Sequence, residues 1–202
     1  MDDFLLRVQP STKERRLLAQ SGAINTLEDV RHRRDAQWQV ELPLHDDLFN
    51  HQTERTEALP AMSVPERLTA DFLTQQASVG PHPMRLWRRK YGNRNILSAS
   101  QLHSLPHGVP VTVAGMVICR QRPGTAKGHC FISLEDESGI SNLFVKRETF
   151  EQLHQIITSE PFLRVEGRLQ RSEGDQPTVY VLHLEPLENT HPEQAAASYD
   201  FH

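Results

Sequence analysis

The chain has 202 residues, 37% of them hydrophobic, and a formal net charge of -4. These values allow one or two small domains and exclude a uniformly basic nucleic-acid coat, so any anion-binding surface must be local. Two cysteines are too few for a disulfide framework. No apolar stretch reaches the length of a membrane span and the first residues lack a signal-peptide core, so we expect a cytoplasmic protein with no membrane contact.

The first forty residues are predicted to be helical. Ser11 is followed three residues later by Glu14, which is the pattern of a capping box at the start of a helix. Gly22 ends this helix, and a second helix is predicted from about residue 26 to residue 38. Residues 1–40 therefore form a helical region.

Two further regions separate this helical region from the rest of the chain. Residues 41–62 are interpreted as a linker, because charges and prolines interrupt any periodicity there. Residues 63–104 are predicted to be helical again, with Leu68 and Phe72 on one side of the first helix and a turn at Gly80.

The alternation of apolar and polar residues in residues 105–188 is typical of a small β-barrel. Glycines lie inside the first and fourth predicted strands, where barrel strands bend. The order β-β-β-α-β-β predicts an OB-fold barrel, so the fold class is an all-β barrel preceded by a mostly α-helical region, mixed α+β overall. Residues 189–202 are polar and alanine-rich, and a flexible tail is predicted there. The strands are predicted at residues 111–122, 129–136, 140–146, 162–171 and 178–187, and the helix at residues 149–158.

Side chains opposite the buried set on the first three strands carry the functional prediction. Exposed aromatic rings stack bases and cations pair with phosphates, so this face is predicted to bind single-stranded nucleic acid. The alternative is that Phe131 and Phe144 pack under a neighbouring segment and the cations form a solvated rim. The candidate binding residues are Arg120, Arg122, Lys127, His129, Phe131, Asn142, Phe144 and Lys146.

No pattern in the sequence is typical of a catalytic or metal site. The eleven histidines are scattered, and neither His-Glu-x-x-His, Cys-x-x-Cys nor Gly-x-Ser-x-Gly occurs. The loop at residues 124–128 lacks the Gly-Lys-Ser/Thr ending of a phosphate-binding loop and joins two strands instead of a strand and a helix. We therefore expect no catalytic residue, no metal ligand and no cofactor.

A short acidic segment in the predicted linker ends in Leu48 and Phe49. Two adjacent apolar side chains in an unstructured segment suit docking into a pocket of a partner protein. A single local hydrophobic contact within the linker is the alternative interpretation.

Three stretches of the predicted barrel carry a family resemblance. Residues 113–117, 120–128 and 134–143 closely resemble the C-terminal OB domain of the error-prone DnaE-type DNA polymerases (ImuC), which are C-family polymerases related to the alpha subunit of DNA polymerase III. The resemblance extends over nearly the whole chain. Residues 18–25 and 33–39 resemble the helix-hairpin-helix region of the family, residues 80–83 are similar to the turn before its OB domain, and residues 198–202 resemble its C-terminal signature.

The resemblance implies a role in damage-induced, translesion DNA synthesis. The matched segments do not include the palm, whose aspartates hold the catalytic magnesium ions, so the chain alone is expected to bind DNA and not to synthesise it. The implied partners are single-stranded DNA, a polymerase core, other translesion accessory proteins and the sliding clamp. Replicative relatives carry a clamp-binding Gln-x-Asp-Leu-Phe motif between the two regions, which makes His45, Asp47, Leu48 and Phe49 candidates for clamp binding, with His45 in place of the usual glutamine.

Two other classes of function are compatible with the same residues. The anticodon-binding OB domain of aminoacyl-tRNA synthetases has a similar first strand and hairpin, which would make RNA the ligand. A protein-binding adaptor of a polymerase complex would use the linker and the helices, and its OB face would have no affinity for nucleic acid.

Overall fold

In the computed structural model, the described parts of the chain are residues 1–42, 59–92, 95–171, 176–190 and 199–201, the last as backbone only. The chain divides into two units, Met1–Gln75 and Gln76–His202. Each unit has its own hydrophobic core, and each is considered by itself.

The first unit is helical, as the sequence predicts. The capping box is confirmed, because the Ser11 hydroxyl accepts a hydrogen bond from the backbone N–H of Glu14 while the Glu14 carboxylate accepts one from the backbone of Ser11. Gly22 ends the helix in the left-handed conformation that glycine tolerates best. The helices are α1 (Asp2–Val8), α2 (Thr12–Ser21), α3 (Arg33–Gln39) and α4 (Val64–Gln75).

The predicted second helix begins later than expected. Residues 22–32 form a series of turns, and α3 starts only at Arg33. The ring of His32 caps it, because His32 Nδ1 accepts a hydrogen bond from the backbone N–H of Asp35 at 3.1 Å. The turns bury Ile24 and Val30 in the core of this unit, so burial of those two side chains overrides the helical pattern.

An ion pair joins two helices of the first unit. Arg33 Nη1 on α3 donates to the Asp71 carboxylate on α4 at 2.7 Å, and both side chains are largely buried. A second, more exposed pair links Arg34 to Glu66 at 2.6 Å. Because a buried charge is costly without a partner, Arg33 and Asp71 compensate each other where α3 and α4 meet.

The second unit contains the barrel. Strand β1 pairs with β2 on one side and with β4 on the other, and the order β1-β2-β3-β5-β4 closes on β1. This is the closed five-stranded OB barrel predicted from the sequence, with a helix between the third and fourth strands. Its elements are β1 (Pro110–Gln121), β2 (Cys130–Asp136), β3 (Gly139–Val145), α7 (Arg147–Ser159), β4 (Phe162–Gln170) and β5 (Thr178–Pro186).

Helices α5 (Pro83–Tyr91) and α6 (Ala99–Leu102) precede the barrel and pack on it. Met84 and Trp87 of α5 are buried with Met116 and Phe162 of the barrel. Among the helices of the described ranges, none combines the length and hydrophobicity needed to span a bilayer.

A buried carboxylate ties the start of α6 to the β2–β3 hairpin. Asp136 accepts hydrogen bonds from the backbone N–H groups of Ala99 and Ser138, from the Ser138 hydroxyl and from Arg88 of α5. Arg88 also donates to Glu137 at 2.7 Å. The basic end of α5 is therefore partly neutralised, because Arg88 is held by two carboxylates.

Residues 199–201, which lie within the stretch predicted as a flexible tail, are described as backbone. Tyr199–Phe201 form a short strand, β6, which pairs in parallel with Cys119–Gln121 of β1. Strand β1 pairs with β4 only as far as Met116. Beyond Met116, the backbone groups of β1 on the β4 side need another partner. Strand β6 supplies that partner, which composition alone does not reveal.

Candidate nucleic-acid interface

Three aromatic side chains form a row across three neighbouring strands. Phe131 of β2 lies opposite Phe144 of β3, and Phe144 lies opposite Tyr180 of β5. The ring centroids are 5.5 Å apart in the first pair and 5.8 Å apart in the second, which is the spacing of interacting aromatic rings. We call Phe131, Phe144 and Tyr180 the aromatic row.

The aromatic row is accessible from solvent. Phe131 is 40% exposed, and Phe144 and Tyr180 are half-buried. Their neighbours in the strands, such as Ile132 and Leu143, point into the barrel core. The alternation predicted for β2 and β3 is thus confirmed, and among the described residues no segment covers Phe131 completely.

Histidine and asparagine flank the row as the sequence predicts. The ring centroid of His129 lies 5.1 Å from that of Phe144, and His129 Nδ1 accepts a hydrogen bond from the backbone N–H of Arg147 at 3.0 Å. Asn142 lies on the same face, where its Oδ1 accepts a hydrogen bond from the Ser133 hydroxyl at 3.2 Å. Both side chains are therefore oriented by neighbouring groups.

Lys146 borders the row, and the two other predicted cations, Arg122 and Lys127, lie at the β1–β2 loop. Lys146 Nζ lies 5.1 Å from the centroid of the Tyr180 ring. The Arg122 guanidinium lies 4.5 Å from the centroid of the Phe150 ring, and its Nε donates to the carbonyl oxygen of Gly128. Lys127 is exposed in the β1–β2 loop.

Within the described ranges, none of these three cations forms an ion pair with a carboxylate. Cations that lack such partners attract phosphate without first breaking a salt bridge.

The predicted orientation of Arg120 is wrong, because β1 contains a bulge. Val117 lies opposite Leu134 but Cys119 lies opposite Ser133, so Ile118 is an extra residue. Beyond the bulge, Cys119 faces the same side as Ser133, and Arg120 lies opposite the buried Ile132. An extra residue reverses the facing of every later side chain, so the alternation that placed Arg120 and Arg122 beside Phe131 does not hold for either residue. Gln121 lies opposite Phe131 instead, and Arg122 contacts Phe150 of α7.

Arg120 instead supports the barrel helix. Its Nε donates to the carbonyl oxygen of Ile157 at 2.5 Å, and its Nη2 donates to that of Glu160 at 2.8 Å. These carbonyls lie at the carboxyl end of α7, where backbone acceptors lack intrahelical donors and a cation is favourable. The structure therefore places Arg120 beside α7 and away from the aromatic row.

Tyr180 is the residue that the sequence analysis missed. It faces outward because Val179 and Val181 on either side are buried in the barrel. The alternation Val-Tyr-Val within β5 was a sufficient signal for its outward position. Its place beside Phe144, by contrast, depends on the parallel pairing of β3 with β5.

The candidate clamp-binding residues His45, Asp47, Leu48 and Phe49 lie outside the described residues. Clamp binding by this segment stays a prediction.

Known proteins support the assignment of the barrel. Residues 111–187 match a family model described as an OB-fold nucleic acid binding domain. An error-prone DNA polymerase from Anaeromyxobacter dehalogenans is 42% identical over 189 residues, which cover 92% of this chain and 16% of that polymerase. The chain is homologous to part of the error-prone DNA polymerases. The resemblance found in its motifs is thereby confirmed.

A second error-prone DNA polymerase, from Pseudomonas syringae pv. syringae, is 38% identical over 177 residues, or 85% of this chain and 17% of that polymerase. The chain thus spans about one sixth of the length of these polymerases. Asparaginyl-tRNA synthetase from Pyrococcus horikoshii is 26% identical and covers 46% of this chain and 21% of its own, with a TM-score of 0.33. A TM-score this low adds nothing to the assignment.

Proposed function

We propose that this chain binds single-stranded DNA for an error-prone polymerase during translesion synthesis. The observation that carries the proposal is the exposed ring of Phe131, which lies beside Phe144 on an outer face that the exposed Lys146 borders. The homology to error-prone DNA polymerases supports DNA as the ligand. The match to an OB-fold nucleic acid binding domain supports the barrel as the binding domain. OB folds bind oligonucleotides on the face of their second and third strands, which is the face that carries Phe131 and Phe144.

Each residue type at the face has a distinct role in the proposal. Phe131 and Phe144 stack bases, a contact that contributes about 1–3 kcal/mol per base. Arg122, Lys127 and Lys146 pair with phosphates, which makes binding salt-sensitive and largely independent of sequence. His129 and Asn142 offer polar groups to the base edges. Arg120 has no part in binding, since its guanidinium holds α7.

We assign the chain a binding role only and place the chemistry of synthesis in the polymerase core. In this arrangement the OB face holds template strand near the core, so that a template with a lesion stays engaged while synthesis is slow. A primer-extension assay with the chain, magnesium and nucleotides tests this division. Extension above background would show that the chain has catalytic activity of its own.

Fluorescence anisotropy with a labelled single-stranded oligonucleotide tests the binding proposal. The wild-type chain and a Phe131→Ala/Phe144→Ala variant are titrated over a salt series. We expect wild-type affinity to fall steeply with salt and the variant to lose most of its affinity at every salt concentration. Ile140→Ala is the matched control, because Ile140 is an exposed apolar residue at the opposite end of strand β3 from Phe144.

Two outcomes would favour the other functions. Tighter binding to an RNA oligonucleotide of the same sequence would favour a tRNA-type ligand. Absence of wild-type binding at low salt would reject the nucleic-acid proposal and favour an adaptor that binds proteins.

The proposal includes the sliding clamp as a partner, through the segment that contains His45, Asp47, Leu48 and Phe49. The measurement is surface plasmon resonance against immobilised clamp, with a Leu48→Ala/Phe49→Ala variant beside the wild type. Since the two apolar side chains would fill the clamp pocket, the variant is expected to lose binding. Equal binding by both proteins would reject this segment as the docking site.

A further inference from the structure

The solvent side of helix α5 carries three cations. Arg85 and Arg89 lie about one helical turn apart, and Lys90 follows about 100° further around the helix axis. All three side chains are exposed. They lie within about 7.5 Å of one another along the axis, so their charges form one basic surface on a single helix. We call Arg85, Arg89 and Lys90 the α5 cations.

The α5 cations differ from Arg88 of the same helix in their partners. Arg88 is largely buried and is held by the carboxylates of Asp136 and Glu137. Within the part of the chain that the structure describes, none of the α5 cations forms an ion pair. Lys90 Nζ lies 5.1 Å from the centroid of the Tyr91 ring, a contact that leaves its charge in place. Arg88 therefore attaches the helix, and the charges of the α5 cations stay available to a ligand.

Helix α5 is fixed to the barrel by its other side. Met84 and Trp87 are buried in one cluster with Met116 and Phe162. Trp87 Nε1 also donates to the carbonyl oxygen of Glu188 at 2.7 Å. A surface that is already ordered loses less conformational entropy when it binds a ligand, so the α5 cations are well placed for binding.

The α5 cations are separate from the aromatic row. Arg88 ties α5 to Asp136 at the end of β2, whereas Phe131 lies five residues earlier on that strand. Five residues of a β-strand span about 17 Å. A ligand on α5 therefore occupies a different part of this unit from a ligand on the OB face.

The chemistry of the α5 surface favours a paired nucleic acid. Surfaces for single strands combine cations with aromatic rings that stack bases. On α5, Trp87 is buried and the half-buried Tyr91 packs against it, with ring centroids 5.6 Å apart. Cations without an exposed ring contact phosphates only, and a duplex presents dense phosphates while its bases stay paired.

We propose that the α5 cations bind the phosphate backbone of duplex DNA, as a second site beside the single-strand face. This site goes beyond the proposed function, because it takes a paired ligand and lies on a helix outside the barrel strands. The homology to error-prone DNA polymerases supports DNA as the polyanion. A chain with both sites holds a template strand and the duplex next to it at the same time.

Fluorescence anisotropy with a labelled blunt-ended duplex, over a salt series, tests the site. For duplex DNA, the logarithm of the binding constant falls with the logarithm of salt concentration by about 0.9 for each phosphate neutralised. Arg85→Gln/Arg89→Gln/Lys90→Gln is therefore expected to reduce the magnitude of this slope by about 2.7. Its affinity for a single-stranded oligonucleotide is expected to equal that of the wild type. Glutamine forms helices about as well as arginine and lysine, and circular dichroism checks that the variant is folded.

Two further variants serve as controls. Arg122→Gln/Lys127→Gln/Lys146→Gln removes the same charge from the single-strand face. It is expected to lower the salt slope for the single strand and to keep the wild-type slope for the duplex. Arg85→Lys/Arg89→Lys keeps the three charges on α5 and is expected to keep the duplex slope.

Three results would overturn the site. Absence of wild-type duplex binding at low salt would reject it and favour an acidic protein as the partner of α5. A wild-type duplex slope in the α5 triple variant would show that the duplex binds elsewhere. Equal loss of slope in both triple variants with both ligands would show an effect of net charge and not of a site. The proposed function fails separately, through absence of single-strand binding.

Discussion

Arg120 Nε donates to the carbonyl oxygen of Ile157 at 2.5 Å and thereby ties strand β1 to the carboxyl end of helix α7. The bulge at Ile118 allows this contact, because it turns Arg120 away from the outer face on which Phe131 lies. A residue that the sequence analysis predicted as a phosphate ligand thus donates its hydrogen bonds to the end of a helix.

Replacement of Arg120 by alanine is expected to weaken folding more than binding. The change leaves the carbonyls of Ile157 and Glu160 without their charged donor, which costs about 1–3 kcal/mol. Urea unfolding measures this loss, and Arg122→Ala, a change at an exposed arginine of the same region, is expected to have a smaller effect. If the salt slope of DNA binding fell in folded Arg120→Ala, the exclusion of Arg120 from DNA binding would be wrong.

Gly115 permits the close approach of β1 and β2. A Cβ atom at this position would lie 2.7 Å from the carbonyl oxygen of Glu135 and 3.0 Å from Leu134 Cβ. Since the barrel cannot relieve such a contact without moving backbone, Gly115→Ala is expected to destabilise the protein by about 1–3 kcal/mol. Chemical denaturation measures this loss of stability. Gly124→Ala is the control, because a Cβ there meets nothing within 4 Å, and an equal loss in both variants would contradict the argument.

Asp136 is expected to be among the costliest polar residues to remove from the second unit. Asp136→Ala leaves the backbone N–H of Ala99 without its acceptor and removes one carboxylate from Arg88, a loss of about 3–5 kcal/mol for a buried pair. Glu137→Ala removes only the other carboxylate of Arg88 and is expected to cost less. Thermal unfolding compares the two variants, and a larger effect of Glu137→Ala would show that Asp136 is not the centre of this network.

His82 is expected to make stability depend on pH. Burial lowers the pKa of His82, and the nearby carboxylates of Glu135, Glu137 and Asp136 oppose this shift only in part. The unfolded chain, with a histidine pKa near 6.5, then binds a proton more readily than the folded chain. The contribution of neutral His82 is therefore complete above pH 6.5 and is lost as the pH falls below that value towards the lowered folded pKa.

The measurement is the free energy of unfolding at pH 7.5 and at pH 5.5, for wild type and His82→Asn. In the wild type, His82 Nδ1 accepts a hydrogen bond from the backbone N–H of Met84. Asparagine also caps helices, so its side-chain oxygen keeps an acceptor at this position. The loss of stability between the two pH values is expected to be smaller in the variant. Identical losses would show that other titrating groups cause the pH dependence.

The barrel itself was predictable because buried and exposed side chains alternate along a strand wherever its pairing with the two neighbouring strands is regular. Ile132 and Leu134 on β2, and Val165 on β4, are buried as the alternation indicates. Gly115 was also recognisable as a special position, although its reason is the close approach of β2 and not a bend alone. The capping box at Ser11 is a local signal and needed no tertiary contact.

The orientation of Arg120 was not predictable from alternation. A bulge is a property of two paired strands, and the sequence of β1 alone does not show that Ile118 has no partner on β2. The same limit applies to the start of α3, where burial of Ile24 and Val30 overrides a helical pattern.

The sequence by itself determined the OB barrel, the helical region before it, the outward rings of Phe131 and Phe144 and the resemblance to error-prone polymerases, because each depends on local periodicity or on a contiguous motif. Only the tertiary structure decided which residues stand beside those rings. Strand pairing brings Tyr180 into line with them, and the bulge turns Arg120 away from them. Register between strands distant in sequence depends on the closure of the whole barrel, which no single segment encodes.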